Sequence, residues 1–535
     1  MNAIAKPRIR VAAPGRRQSV DRPKSQSGYM RNFDRLPMFA GWHPSLREAS
    51  DDVKQAWRLA TARTVDAFHN SGFLAGVKEQ SVSAVVGNGL ELDCKPNYLA
   101  LGWTVDAATK WAQLVEARWS AYVKSAAACD ALNQCSLHQR AAQAYIHWMA
   151  TGEILATLPY FRNPGSDYRT KVRIHPAWRM SSLSHLPDIH QGVRINAVGA
   201  PVAYRLMRKM SWGGEEEFEL RRSDPVGRPL VVHIFEGDPD QVRGISQFAP
   251  VLKVIRQFDQ LADATLTTAL IQTIFAAMFK SAASPEQVLD AVKTQGEQQD
   301  ESDFAKLITS KAEWYEKTDV NLGVHGKLLH GFPGDELQFF RAEHPNATYQ
   351  PFAKFLLLEA SRVAACTVEE FSGDYTGATY SSIQMGTAVN WPRVERRRAN
   401  IVAPLYQAVH VAWLEEEIEG GSIPFPNGVS GFLANRDFAC QNIWRGPVKP
   451  QADELKTARA AEVWKKNGVP DYVIFNFLGL DVDDVYEARA REKKRRQELG
   501  IDDVPPAASD IEGKTGRSRG EVEEEEEDEA QNARS

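Results

Sequence analysis

Apolar residues Phe352, Phe355, Leu356, Val363 and Cys366 recur at helical spacing, and Pro351 stands near the start, where its missing N–H costs nothing. The hydroxyl-rich stretch Ser372 to Ser382, with Gly373 and Gly377 for tight bends, then breaks that period. A second helical pattern runs to Glu419, with Pro392 and Pro404 expected to kink it and Gly420-Gly421 to stop it. Upstream lies a longer pattern: Val251, Ile255, Phe258, Leu261, Leu266, Ala269, Leu270, Ile274 and Met278. Some 30 residues at 1.5 Å rise span about 45 Å. Its charges Lys253, Arg256, Asp259 and Asp263 fall in the first half, and none follows until Lys280. The segment from Ala264 to Phe279 is therefore expected to be buried all round, most simply by neighbouring subunits.

Nearer the N-terminus, Val53, Trp57, Ala60, Thr64 and Phe68 predict an amphipathic helix capped by Ser50 or Asp51. Gly87-Asn88-Gly89 is a turn signal, and no phosphate-binding glycine motif completes it. Helices are expected around Trp111-Val115-Trp119-Tyr122 and Leu137-Ala141-Ala144-Trp148, whose tryptophans read as core. From about Ile154 to Ile234 the period changes to that of strands at 193–195, 202–206, 218–220 and 230–234, punctuated by Gly and Pro. They predict an antiparallel sheet joined to the preceding helices, an α+β class. His233 falls within a strand and reads as a satisfied core or edge histidine. Beyond Gly421 a Pro/Gly linker leads to a helix with Leu455, Ala458, Ala461 and Trp464, and a highly charged helix ends at Leu499-Gly500.

The chain is 43% apolar and 25% charged, as in soluble globular proteins, and at 535 residues it calls for several domains. Residues up to about Ser27 form a basic, Pro/Ser/Gln-rich arm, and Glu521 to Glu529 an acidic tail; both compositions predict disorder. Net charge is −5, from 64 basic and 69 acidic residues, which is unlike a protein that grips DNA by neutralising phosphates. Five cysteines (Cys94, Cys129, Cys135, Cys366, Cys440) show no metal spacing and fit reduced thiols. His325 and His330 are five apart, the wrong spacing for one helical face. No run is long and apolar enough for a membrane span, and the N-terminus lacks the apolar core of a signal peptide. Hydrolase, zinc, Walker-type and EF-hand motifs are all missing, so no catalytic residue, cofactor or metal ligand is assigned.

Several short motifs, in order, carry a resemblance: Gln241-Val242-Arg243-Gly244-Ile245-Ser246, Glu343-His344-Pro345, Arg362-Val363-Ala364-Ala365, Asp374-Tyr375 and Tyr380-Ser381-Ser382. Gly152-Glu153 and the stretch ending Pro333-Gly334-Asp335-Glu336 add to it. Together they resemble the lambda-type portal proteins of tailed bacteriophages, over roughly Val85 to Gly500. Ile383-Gln384 stands where that family often has Ala-Arg, so any role of that arginine does not carry over.

The resemblance implies a portal-type fold. Its expected parts are a disordered arm (1–30), a wing of helices then sheet (31–250), a stem helix (251–283), a clip (284–346), a second stem helix (347–372), a channel loop (373–383), a kinked wing helix (384–420), a helical crown (421–505) and a tail (506–535). It further implies a closed homo-oligomeric ring, usually a dodecamer, at one capsid vertex of the virion, assembled in the host cytoplasm. Double-stranded DNA would pass through non-specifically during packaging and ejection. The terminase large subunit, head–tail adaptor proteins and the major capsid protein would be partners, with ATP hydrolysis left to the terminase. Asp374, Tyr375, Thr376, Thr379, Tyr380 and Ser381 would line the channel. Leu266, Ala269, Leu270, Ile274 and Met278 would form the intersubunit stem. Two rival readings stand beside it: a cytosolic α+β enzyme with an unmarked site, and a channel-less scaffold or adaptor.

Overall fold

The computed structural model describes residues 46–181, 187–210, 213–274, 277–281, 313, 335–339, 349–450, 454–480 and 482–500. The basic arm, the acidic tail and most of the expected clip, with His325 and His330, lie outside the described residues.

Helix α1 (Ala49–Asn70) begins one residue before the expected cap. Glu48 is its N-cap without a side-chain bond, and Asp51 and Asp52 sit in the first turn, where negative charge favours the helix dipole. Val53, Thr64 and Phe68 are buried. After α2 (Gly72–Val85) the chain turns through Gly87 and Gly89, both at positive φ, into strand β1 (Glu91–Cys94). Then come α3 (Tyr98–Leu101), α4 (Val105–Lys124), α5 (Ala126–Cys129) and α6 (Leu137–Thr151). Ser136 and Gln139 close a reciprocal capping box at the start of α6.

The strand region divides into two antiparallel sheets rather than one. β2 (Glu153–Thr157) is buried along its whole length between β3 (Arg173–His175) and β8 (Val231–Phe235). The second sheet has the order β4 (Ile189–His190), β5 (Val193–Ile195), β6 (Pro201–Lys209), β7 (Glu215–Arg221). Alternation along β6 sends Tyr204 and Leu206 into a small core with Leu155, Met180 and Val231, and this core joins the sheets. The outward row pairs Arg205 with Glu219 instead, and past the small core the inward row ends in an exposed pair, Arg208 with Glu216.

The main core is assembled around a helix from much later in the chain. α7 (Leu252–Ile274), strands β9 (Ala277–Ser281) and β10 (Asp335–Phe339), α8 (Tyr349–Ala364), α9 (Val368–Ser372) and α10 (Tyr380–Arg397) come first. A π-turn (Arg398–Val402) then leads into α11 (Ala403–Glu419). α11 buries Leu405, Tyr406, Val409, Trp413 and Ile418 on all sides, with the His410 and Trp413 rings against Trp119 and Tyr122 of α4. The tryptophan stripes at 111–119 and 148 are thus core. β11 (Asn442–Arg445), beyond α12 (Gly428–Ala439), pairs antiparallel with β1. Three C-terminal helices follow: α13 (Glu454–Lys466), α14 (Asp471–Leu478) and α15 (Val482–Leu499). An edge-on contact of Trp464 with Phe477 joins the first two.

Candidate functional site

Helices α7 and α8 pack through Val254, Ile255 and Phe258 on one side and Leu356, Leu357 and Ala360 on the other. Phe73 and Leu74 of α2 and Phe371 of α9 complete the contact, around a void of only about 10 Å³. Beyond this contact other large apolar side chains of the same helices, and of α10, are bare. Leu266 of α7 is 61% exposed, Phe355 of α8 63% and Met385 of α10 68%, with Phe352, Leu358 and Val389 also exposed. Helices of a lone soluble chain rarely present so many large apolar side chains to water.

Of the expected intersubunit residues, Leu266 is exposed and Ala269 half-buried on α7, whose backbone also carries Leu270 and Ile274. Met278 is corrected: it lies on β9, opposite Gln338 of β10. The helix is 23 residues long, shorter than its periodicity suggested, because the chain leaves it for a strand pair with residues 335–339. The cross-strand ladder satisfies backbone groups that a longer helix would have satisfied internally.

Between α8 and α10 the chain is held by local capping rather than left loose. Thr367 and Glu370 form a capping box for α9, and Gly373 closes that helix in the left-handed region at φ 71°. Asp374 Oδ1 accepts the N–H of Thr376 at 2.9 Å. Hydrogen bonds from the Thr376 hydroxyl and N–H hold the Asp374 carboxyl below its usual range. Thr379 then caps α10, its Oγ1 accepting from Ser382 N at 3.2 Å while Ser382 Oγ accepts from Thr379 N at 3.0 Å. The loop is therefore 373–379. Tyr380, Ser381 and Ser382 occupy the first turn of α10, a correction to the expected loop of 373–383. Its reason is the reciprocal Thr379–Ser382 cap, which the hydroxyl-rich composition concealed. Tyr375 and Tyr380 are exposed; Tyr380 accepts from Gln384 Nε2 at 3.0 Å, and the Lys456 ammonium of α13 lies 5.5 Å from its ring centroid.

α10 runs through a π-turn into α11, and Pro392 lies inside α10 without ending it. Pro404 has no N–H to return to the preceding turn, and the wider turn absorbs that loss. The turn also separates two neighbouring arginines. Buried Arg397 donates to the carbonyls of Val363 (2.9 Å) and Ala364 (2.8 Å), the open C-terminal end of α8. Arg398 donates to Ala84 (2.9 Å), Val85 (3.1 Å) and Pro447 (2.7 Å), closing α2. Cations at helix C-termini satisfy orphan carbonyls and the dipole together. The Arg362-Val363-Ala364-Ala365 motif is thus the end of α8, with Ala365 at φ 63°.

A second clamp was not legible as such. Glu153, fully buried at the start of β2, accepts from Arg243 Nε at 3.0 and 2.9 Å, from His233 Nε2 at 3.0 Å and from the N–H of Gly244 at 3.1 Å. Burial opposes its charge, but the Arg243 guanidinium and the His233 bond outweigh it and hold the carboxyl down to about 2. The other side of Arg243 faces the Trp57 ring at 4.3 Å. Gly152 and Gly244 lie back to back: a Cβ on Gly244 would fall 2.2 Å from the Gly152 carbonyl oxygen. This explains the glycines of both motifs. The signal for the clamp was present, a lone acid opening a buried strand and an arginine between Val and Gly, but nothing local pairs them.

A groove of about 1020 Å³ runs between β1 and α4. Its charges are largely taken: Asp93 pairs with Lys95 and Arg445, and Glu116 accepts the N–H of Cys94. Among the described residues no His, Cys, Asp or Glu group could hold a metal ion, all five cysteines are free, and no helix is long and apolar enough to cross a membrane.

The sequence model of the family described as phage portal protein, lambda family, matches residues 35–398, and the chain belongs to that family. Its function is that of a portal, the head–tail connector of a virion. It is 23% identical over 476 residues to the portal protein of Escherichia phage N15, covering 87% of this chain and 89% of that one. It is likewise 23% identical over 475 residues to portal protein B of Escherichia phage lambda, with the same coverage. Among solved structures, the neck of a native gene transfer agent particle aligns over 78% of this chain and 93% of that one at 14% identity and a TM-score of 0.41. The family is structural rather than enzymatic.

Proposed function

We propose that copies of this chain close head-to-tail into a ring, a dodecamer, whose axis is the passage for double-stranded DNA in packaging and ejection. The observation that carries this reading is the set of large apolar side chains left exposed on α7, α8 and α10, among them Leu266, Phe355 and Met385. A heterologous contact that closes buries such a face on every subunit at once. Helices and sheets up to residue 250 are the wing, α7 and α8 the stem, β9 and β10 the root of the clip, and α13 to α15 the crown. The loop 373–379 faces the passage. Its only charge is Asp374, and hydroxyls at Tyr375, Thr376 and Thr379 touch phosphate weakly and without sequence preference. The ring sits among copies of the major capsid protein at one vertex, is assembled in the host cytoplasm, and docks the terminase large subunit and then head–tail adaptors. It hydrolyses nothing itself.

Leu266→Glu and Phe355→Glu test the assembly. Each places a carboxylate on a surface exposed in the single chain, so folding should be unchanged, while burying it unpaired in a ring costs several kcal/mol per subunit. Sedimentation and electron microscopy should show rings for the parent and folded monomers for the variants. Normal rings from both variants would place the interface elsewhere. A parent that stays monomeric or dimeric would favour an enzyme or a channel-less adaptor.

A further inference from the structure

The last helix carries charge that the rest of the molecule does not use. From Tyr486 to Gly500 every residue of α15 and its cap is exposed. The bonds that tie it to the body fall at its beginning, Tyr486 hydroxyl to Asp471 at 2.9 Å and Gln113 Nε2 to Glu487 at 3.4 Å. Beyond them some 13 residues, about 20 Å of helix, make no hydrogen bond to any other element among the described residues. In that length six of the eight residues from Arg489 to Arg496 are cations. Arg496 pairs with Glu492 one turn back, and the Arg489 guanidinium lies 5.4 Å from the Phe475 ring centroid. Lys493, Lys494 and Arg495 have no partner among the described residues, and at 3.6 residues per turn they point about 100° apart. The positive charge therefore surrounds the helix instead of marking one face.

We infer that the free half of α15 is a polyanion-binding element that lies in a groove of duplex DNA and contacts phosphates on both sides, resting on the portal reading for the presence of duplex. Two features favour DNA over an acidic protein surface. A protein partner would meet one face of the helix and bury apolar side chains there, but 487–500 offers only Ala488, Ala490 and, at its very end, Leu499. A helix about 10–12 Å across, cationic all round, matches a major groove about 12 Å wide flanked by phosphates on both walls. With no base-reading constellation on the page, the contact is with backbone, so it is independent of sequence. The chain as a whole is acidic, so this patch is a local exception to its net charge of −5.

The test measures binding of the full chain to two unrelated 30-bp duplexes by fluorescence anisotropy across a KCl series. The triple variant Lys493→Gln, Lys494→Gln, Arg495→Gln should bind about tenfold or more weakly at low salt. Its log–log salt slope should be shallower by about 2 to 3, since each phosphate contact contributes about 0.9 on duplex DNA. The change should be the same on both duplexes. Lys493→Arg with Lys494→Arg should restore binding, which separates lost charge from lost folding. Polyglutamate at equal charge should compete poorly. An unchanged slope in the glutamine variant, no binding by the parent, or displacement by polyglutamate as effective as by DNA would each overturn the inference, the last in favour of an acidic protein partner. Sedimentation of the same samples keeps the two readings apart: rings with an unchanged slope overturn only this inference, and a parent without rings overturns only the portal assembly.

Discussion

Arg243 lays its guanidinium across both carboxylate oxygens of Glu153, 90 residues away in sequence, with no water-exposed edge on either side chain. The pair locks β2 to the segment that feeds α7. Arg243→Met would leave Glu153 buried without its guanidinium, which costs about 3–5 kcal/mol. Replacing both, as Glu153→Leu with Arg243→Met, should recover much of that loss. Chemical denaturation of the single and double variants checks it; equal instability of both would mean that packing, not charge, is what the arginine provides.

Acid should act on the same pair. Glu153 titrates near 2 in the folded chain and near 4.5 when unfolded, so its stabilisation is complete above about pH 4.5 and is lost as pH falls toward 2. Glu153→Gln should remove that part of the acid dependence. A variant whose stability falls as steeply as the parent's between these limits would refute the assignment.

His410 should set an earlier loss. It is fully buried among Trp119, Trp413 and Trp444, and burial alone lowers its pKa to about 3. Between pH 6.5 and 3 the unfolded chain takes up a proton that the folded chain refuses. Stability should therefore decline by about 1.4 kcal/mol per pH unit through this group. His410→Gln can keep the bond to Asn442 and cannot titrate. Its stability deficit against the parent should shrink by about 2 kcal/mol between pH 7 and pH 5 in urea unfolding. A constant deficit would rule the histidine out.

At the π-turn, Arg397→Met opens two carbonyls at the end of α8, and Arg398→Met opens three acceptors around α2. Each should cost about 1–3 kcal/mol, the usual penalty for buried polar groups left unsatisfied. Because the two arginines cap different helices, the double variant should lose close to the sum. Marked non-additivity in a thermal or urea series would show that the π-turn couples them.

In the loop, Tyr375→Lys is the informative change. Thr379 is a helix cap, so altering it would cost about 1 kcal/mol of helix stability for reasons unrelated to DNA. Tyr375 is exposed and caps nothing. If the loop faces the passage, a ring of lysines should slow packaging in vitro at low salt, with recovery as salt rises. Packaging at the parent's rate across the salt series would place the loop away from DNA.

Sequence alone determined the helices, the strand region and the buried tryptophans, because the periods of 3.6 and 2 are written into consecutive residues. It also carried the family, through short motifs kept in order. Tertiary structure decided where those periods give way. The helix that carries Leu266 and Ala269 stops at Ile274 because a strand 54 residues beyond Ser281 is there to pair, so Met278 belongs to a ladder. Tyr380 joins a helix because Thr379 and Ser382 cap each other. The pairing of β1 with β11 spans an Asp93–Arg445 separation of 352 residues. Arg397, Arg398 and the Glu153–Arg243 clamp likewise join backbone and side-chain groups from distant segments. Such bonds leave no period, since their partners meet only after the apolar faces have packed.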